Sequence, residues 1–376
     1  MKIRSELCPC GGVHAPWRCP KIYIPIQGVK DSFFGPSPSI FVGRAGYPNV
    51  FVGPMGSLGD ASTSDTPSKW FGMRYADIIN LRFSTIRSKE MHGIQNKSRL
   101  LLDMQDIALA KRPTDVEMLF KKKPSYKMAF SDVTQPMGPS AELHKLTLAE
   151  NPKISAKVQS IANDELRTSE AAAMLFMETD IYQIANIMSS GALGLNKRMV
   201  PTRWSITAVD DILCKGMMDE IRQFPQVRDY LVFSSQFLYN KFDILLMPGS
   251  FEYENFEAAP SNGLIVEEYE PFLGRKEYAQ KEGGGYYAAR FAVCEALHKM
   301  RKQARVVVFR EIGKGYSVPL GVWVVRETAR NAMIQKPARF GTLNGAIELL
   351  KKRLNIGFDE YIKRSIILRQ RRITDF

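Results

Sequence analysis

Residues 39–53 read SIFVGRAGYPNVFVG. Two β-rich runs, Ser39 to Arg44 and Asn49 to Gly53, flank a Gly46-Tyr47-Pro48 turn, which is the composition of a hairpin. Just beyond it, GSLGDASTSDTPSKW at 56–70 is rich in Gly, Ser, Thr and Pro and reads as a polar loop dense enough in hydrogen-bonding groups to carry function. From about Lys153 to Phe224 the pattern turns helical. Ile154, Val158 and Ile161 share one face, Ile181, Ile184, Ile187 and Met188 share another, and Gly191 is a stop signal. Short β runs follow at 242–248 (FDILLMP), 304–312 (ARVVVFREI) and 321–327 (GVWVVRE), with helices at about 286–303 and 343–353. This mixture predicts an α+β fold with short, mainly antiparallel strands. No internal repeat is apparent. The stretch Ala258 to Gly263 is the best boundary between a region at 26–260 and a smaller one at 261–366, with a zinc knuckle at 1–25 and a tail at 367–376.

A chain of 376 residues that is 45% hydrophobic is long and apolar enough for a sizeable core. Fifty-two Lys and Arg against 39 Asp and Glu leave a net charge of +13, which favours a polyanionic partner. The charge is clustered at Lys121-Lys122-Lys123, Lys351-Lys352-Arg353 and Arg369-Gln370-Arg371-Arg372, a pattern that favours nucleic acid over a merely solvated surface. No apolar run has membrane-spanning length and no secretory signal opens the chain, so the sequence predicts a soluble, cytoplasmic protein with no membrane partner.

Cys8, Cys10 and Cys19 crowd the first nineteen residues together with His14. Three thiolates and an imidazole suit tetrahedral zinc, and Gly11 and Gly12 permit the tight turn that aims Cys8 and Cys10 at one ion. The alternative is a set of ordinary reduced thiols, because Cys-x-Cys is tighter than the common spacing. Cys214 and Cys294 stand alone among apolar neighbours in helical segments and read as small core residues.

Two places look built for phosphate. In VPTRWSITAVDDIL at 200–213, Thr207 with Asp210 three residues on resembles a capping box, so a helix is expected to start near Thr207, beside Arg203 and Ser205. The alternative is structural: Asp210 caps, Asp211 complements the macrodipole and Arg203 pairs with it. The second place is Gly283-Gly284-Gly285, a glycine run entering a helix, where the backbone at Gly284 and Gly285 would allow close approach of a phosphate. It lacks the Lys-Ser or Lys-Thr of a P-loop, so no NTPase is implied. No Gly-x-Ser-x-Gly elbow and no His-Glu-x-x-His helix occurs. His92, His144 and His298 are isolated. Asp60, Asp65, Asp77, Asp210 and Asp211 are candidates for holding a second, divalent metal if folding gathers them.

The chain ends in QRRITDF at 370–376. On one helical turn Ile373 and Phe376 project from the same side, so they can fill one apolar pocket while Gln370 hydrogen-bonds at its edge. This is the plug for a sliding DNA clamp, and the alternative is a basic tail.

The segments SPSIFVGRAGYPNVFVGPM, DTPSKWFGMRYADIINLR and VPTRWSITAVDD, with the terminal motif, resemble the archaeal Nre family of DNA repair proteins over most of the chain. The resemblance implies an N-terminal cysteine cluster, carried onto Cys8, Cys10 and Cys19, and binding to the clamp PCNA, carried onto Gln370, Ile373 and Phe376. Two departures are visible: His14 stands where the family has a fourth cysteine, and the tail has one aromatic residue where two are usual. The leading expectation is a DNA repair factor tethered to the clamp that hydrolyses phosphodiester bonds in damaged DNA or nucleotides. Arg44, Arg203 and Arg326 would offset phosphate charge, and Asp211 or a loop aspartate such as Asp65 would position a metal or activate water. The rival expectations are a non-catalytic adaptor or DNA-binding protein bound to the clamp and, less favoured, an RNA-processing protein.

Overall fold

A computed structural model describes residues 30–125 and 136–370. Cys8, Cys10, His14, Cys19, Ile373 and Phe376 lie outside the described residues, so the zinc knuckle and most of the clamp motif have no structural account here. The chain forms two compact units that part between Leu213 and Cys214. Among the described residues there are eleven α-helices and two six-stranded sheets, and no helix is long and apolar enough to cross a membrane.

The N-terminal unit is built on β1 (Ser32–Ser37), β2 (Ser39–Val42), β3 (Asn49–Ser57), β4 (Thr85–Gly93), β5 (Thr114–Phe120) and β6 (Ser140–Leu148), in the order β1-β5-β6-β4-β3-β2. The expected hairpin is present as antiparallel β2 and β3. The expected polar loop is in part helical. It holds α1 (Ala61–Ser64) and a 3₁₀ turn at Pro67–Lys69, folded about the wholly buried Trp70, whose indole N–H donates to the Thr63 carbonyl at 2.5 Å. Next come α2 (Tyr75–Phe83) and α3 (Arg99–Leu109), then α4 (Ala156–Asn163), α5 (Thr168–Phe176), α6 (Ile181–Ser189) and α7 (Thr202–Ile221), of which the residues up to Leu213 belong to this unit. Val158 and Ile161 are buried from α4, and Ile181, Ile184, Ile187 and Met188 from α6, as their spacing requires. Each such burial contributes about 1.5–3 kcal/mol. Ile154 lies before α4 and bridges to Ala110 instead. Gly191, at φ +78, follows α6 as its stop.

The C-terminal unit contains β7 (Tyr230–Phe237), β8 (Asn240–Met247), β9 (Glu252–Ala259), β10 (Leu264–Glu270), α8 (Gly284–Met300), β11 (Arg305–Ile312), α9 (Trp323–Ile334), β12 (Ala338–Phe340), α10 (Leu343–Arg353) and α11 (Phe358–Arg364). Its sheet order is β10-β9-β11-β8-β7-β12. The stretch Ala258 to Gly263 is the turn region joining β9 to β10, which pair antiparallel. Leu245, Phe256, Val307 and Phe309 share a core with Leu350, Phe358 and Tyr361 of α10 and α11, while Trp323 and Tyr286 bring α9 and α8 against β7 and β9. A sheet buried on both faces explains why β8 and β11 are buried almost without a break and carry the apolar runs Ile244–Met247 and Val306–Phe309.

The strands are mainly antiparallel, as expected, with two parallel pairs, β4 with β6 and β9 with β11. One expectation needs correction: the run GVWVVRE is the entry to α9 and not a strand. Trp323, Val324, Val325, Thr328, Ala329, Ala332 and Met333 are all buried, so packing around most of the helix overrides the β-propensity of Val and Trp.

In the N-terminal sheet, β3 crosses close to β1 and β5. A Cβ built on Gly56 would lie 2.8 Å from Met118 Cε and 2.8 Å from Phe33 Cε1. Gly56→Ala is therefore expected to destabilise this unit by about 1–3 kcal/mol through overpacking. Thermal unfolding followed by circular dichroism checks this, and an unchanged melting temperature would contradict it.

Candidate functional site

Strand β2 lies at the edge of its sheet, and its outward backbone N–H groups need partners. Ile40 N–H donates to Asn186 Oδ1 of α6 at 3.2 Å, and Val42 N–H donates to Thr202 Oγ1 at 2.9 Å. Ser189 Oγ donates to the Val200 carbonyl at 2.8 Å and lies 3.0 Å from Thr202 Oγ1, so the Thr202 hydroxyl proton points to Ser189. These bonds seat the start of α7 against the end of β2.

That start is Thr202 and not the expected Thr207. The Pro201 carbonyl accepts from Trp204 N–H at 2.7 Å and Ser205 N–H at 3.0 Å, which winds the first turn five residues earlier. Ser205 is buried, with its hydroxyl donating to the Thr202 carbonyl, and Thr207 is half-buried in the second turn. Asp210 is wholly buried and Asp211 half-buried further along the helix, so neither caps its start.

The consequence is an exposed corner. Tyr47, from the hairpin turn, and Trp204, from α7, lie with ring centroids 5.1 Å apart and are 44% and 45% exposed. Arg44 is exposed in the same turn, whose chain is closed by Asn49 N–H donating to the Gly46 carbonyl at 2.9 Å, and Arg203 is exposed beside Trp204. Two guanidinium-bearing segments thus meet around two half-open aromatic rings, a surface suited to phosphate and to a stacked base. Tyr47 and Trp204 escaped the sequence-based selection. The available signal was an aromatic residue next to an arginine in a polar turn.

The other candidates are placed elsewhere. Asp65 accepts from Ser39 Oγ and from Arg82 at 3.1 Å. It therefore sits at the start of the run whose far end is Arg44, roughly 15 Å away for an extended chain. Asp60 caps α1 through Ser62 N–H at 2.9 Å, and hydrogen bonds from Ser62 and Thr63 hold its carboxyl below the usual range. Asp77 pairs with Arg74 at 2.7 Å. Among the described residues no group of three or more His, Cys, Asp or Glu side chains is placed to hold a metal ion. Arg326 is buried inside α9 of the C-terminal unit.

Gly283, at φ +56, precedes α8, whose first residues are Gly284 and Gly285. The groups around this helix start are the protein's own. A Cβ on Gly285 would lie 3.4 Å from Glu257 Oε2, and Glu257 pairs with Arg310, whose Nη2 donates to Asn240 Oδ1 at 2.7 Å. Glu282 accepts from Asn255 Nδ2, while its Oε1 is shut away from water with no hydrogen-bond partner among the described residues. Burial first, and the Glu257 charge second, push the Glu282 carboxyl well above the usual range. His92 lies against Glu90 and Asn96, His298 against Glu220, and Cys214 and Cys294 are buried in α7 and α8.

Two family models match the chain: archaeal Nre, N-terminal, over residues 21–264, and archaeal Nre, C-terminal, over 270–376. The chain is 34% identical over 368 residues to DNA repair protein NreB of Archaeoglobus fulgidus, covering 94% of each. It is 37% identical over 331 residues to DNA repair protein NreA of the same organism, covering 84% of each. With DNA repair protein NreA of Haloferax volcanii the identity is 33% over 366 residues, covering 90% of this chain and 87% of the relative. No solved structure matches it.

The raised Glu282 value fixes the sign of a pH effect. The native state holds this proton more tightly than the unfolded chain, so stability falls as pH rises from about the ordinary value of 4.5 towards the raised one. Glu282→Gln removes the titration, and its stability advantage over the wild type is expected to grow as pH is raised through the range above about 4.5. Urea unfolding of both proteins across that range checks it, and a pH-independent difference would contradict it.

Proposed function

This chain belongs to the archaeal Nre family, and on that premise we propose that it is a DNA repair protein recruited to DNA by the PCNA sliding clamp. In this reading Gln370, Ile373 and Phe376 bind the clamp, and the body of the protein hydrolyses phosphodiester bonds in damaged DNA or nucleotides. The observation that carries it is the corner where Arg44 and Arg203 flank the paired Tyr47 and Trp204 rings, in a chain of net charge +13 whose relatives are named DNA repair proteins. Arg44 and Arg203 offset phosphate charge and the rings hold a base. Asp211, eight residues beyond Arg203, stands about 12 Å further along α7 and so serves a different phosphate of the strand, positioning a metal or activating water. Cys8, Cys10, His14 and Cys19 enter as a structural zinc site. Gln370 N–H donates to the Ile366 carbonyl at 3.2 Å, so a helical turn leads into the segment that this reading assigns to the clamp.

A second reading, a clamp-bound adaptor without hydrolysis, is favoured by the engagement of Asp65 with Ser39 and Arg82 and of Asp77 with Arg74, which ties up two carboxylates that a metal would need.

Calorimetric titration of the clamp with the full chain and with a chain ending at Leu368 is expected to give binding in roughly the micromolar range that disappears on truncation. Equal behaviour of the two chains would sink the recruitment. With divalent metals supplied, Arg203→Ala is expected to abolish cleavage of damaged oligonucleotides while leaving clamp affinity unchanged. A wild-type protein that leaves such substrates intact would leave only the adaptor.

A further inference from the structure

The two sheets differ in what covers them. In the N-terminal sheet Ile40, Val42, Val50, Val52 and Ile86 all point into one core, so strand alternation sends Phe41, Phe51, Arg87, Lys89 and Met91 to the opposite face. Exposure agrees, at 38% for Phe51 and 50% for Met91. The cross-strand register sets Phe51 opposite Met91. Two cations on this face lie over rings: Arg87 Cζ is 4.7 Å from the Phe41 centroid and Lys89 Nζ is 5.5 Å from that of Phe51.

Neither cation has an ion pair among the described residues. The carboxylate across from Lys89 on β6 is Glu142, which is held by Lys121 at 2.5 Å. Arg87 Nε is buried without a hydrogen-bond partner among the described residues, and Nη1 meets Met137 Sδ at 2.9 Å. Burial, and then the neighbouring Arg82 guanidinium, lower the Arg87 pKa, as expected for a cation without a neutralising partner. Elsewhere in the unit arginines do pair, as Arg82 with Asp65 and Arg112 with Glu150.

A ring face leaves a cation's charge intact, so around Phe41 and Phe51 this surface combines cations without a direct ion pair among the described residues with flat apolar groups, Lys89 feeling Glu142 only at longer range. We infer that this face of the N-terminal sheet binds single-stranded DNA, with an unpaired base stacking on Phe51 and with Arg87 and Lys89 holding the flanking phosphates. The Lys89 stem is long enough to swing from ring to phosphate as a base takes its place, exchanging an exposed cation–π contact for a stronger charge-assisted one. Duplex DNA meets the charge but offers the ring no base, because its bases are already stacked, so a single strand is the better occupant, and the choice of DNA over RNA rests on the repair reading. This surface needs neither the clamp nor hydrolysis.

The test is fluorescence anisotropy of the full chain with a labelled oligothymidylate of about twenty nucleotides, a duplex and an RNA strand of equal length, without divalent metal or clamp. The single DNA strand is expected to bind most tightly. Phe51→Ala is expected to weaken it by about 5- to 100-fold, the range for losing one base stack. Lys89→Ala is expected to weaken it and to reduce the salt slope by about one. Both side chains are at the surface, and circular dichroism checks that each variant folds. In Phe51→Trp the added indole is expected to be quenched by the strand beyond any quenching of the wild type. Unchanged affinity in Phe51→Ala, equal or tighter binding of duplex or RNA, or loss of binding in Trp204→Ala alone would each overturn the inference. Because the assay contains neither clamp nor metal, its failure is distinct from failure of the repair reading.

Discussion

An edge strand leaves one row of backbone N–H and C=O groups without a neighbouring strand, and these groups cost free energy if they are buried unpaired. In β2 the row is answered by side chains. Asn186 of α6 takes the Ile40 N–H and Thr202 of α7 takes the Val42 N–H. Much of the N-terminal unit follows from those two bonds. They bring the end of the hairpin to the first turn of α7, which places Trp204 on Tyr47 and brings the Arg44 and Arg203 segments to one corner. Ser189, by holding both the Val200 carbonyl and the Thr202 hydroxyl, keeps the chain between α6 and α7 in the shape this requires.

The same physics separates the two sheets. In the C-terminal unit helices cover both faces, so β8 and β11 are buried along nearly their whole length and their polar members are drawn into internal pairs. Glu311 is an example: its carboxylate accepts from the backbone N–H groups of Asn355 and Ile356, each at 2.9 Å, and from the Tyr361 hydroxyl at 3.1 Å. Arg290 and Glu270 form a buried pair with the Tyr286 hydroxyl, which donates to Glu270 at 2.5 Å. Charge in this unit is spent on its own architecture. In the N-terminal unit the strands alternate, as β5 does, and Arg87 and Lys89 of the outward face lie over rings.

Much of the fold was legible where pattern and burial agree. The hairpin at 39–53, the stripes of α4 and α6, the strands β8 and β11, and α10 all follow from local periodicity. The misreadings have a common cause. GVWVVRE is apolar and β-branched, and short apolar runs look alike whether they become a covered strand or a covered helix. Thr207 and Asp210 have the spacing of a capping box, yet the Pro201 carbonyl started the helix earlier because Thr202 was already held by Val42. The polar loop became helical around Trp70 because that indole needed burial and its N–H needed a carbonyl.

The sequence by itself determined the class of elements, the basic balance, the family signature segments, and the arginines and aspartates from which a site could be drawn. These are local or compositional quantities, carried by spacing and charge. Which of those residues meet was decided by tertiary structure alone. Arg44 and Arg203 are brought to one corner because a strand edge required hydrogen-bond partners. Asp65 was drawn away to Ser39 and Arg82, and Arg326 was buried within α9. Such choices depend on which backbone groups remain unpaired once the sheet has formed, and no local pattern in the chain records that.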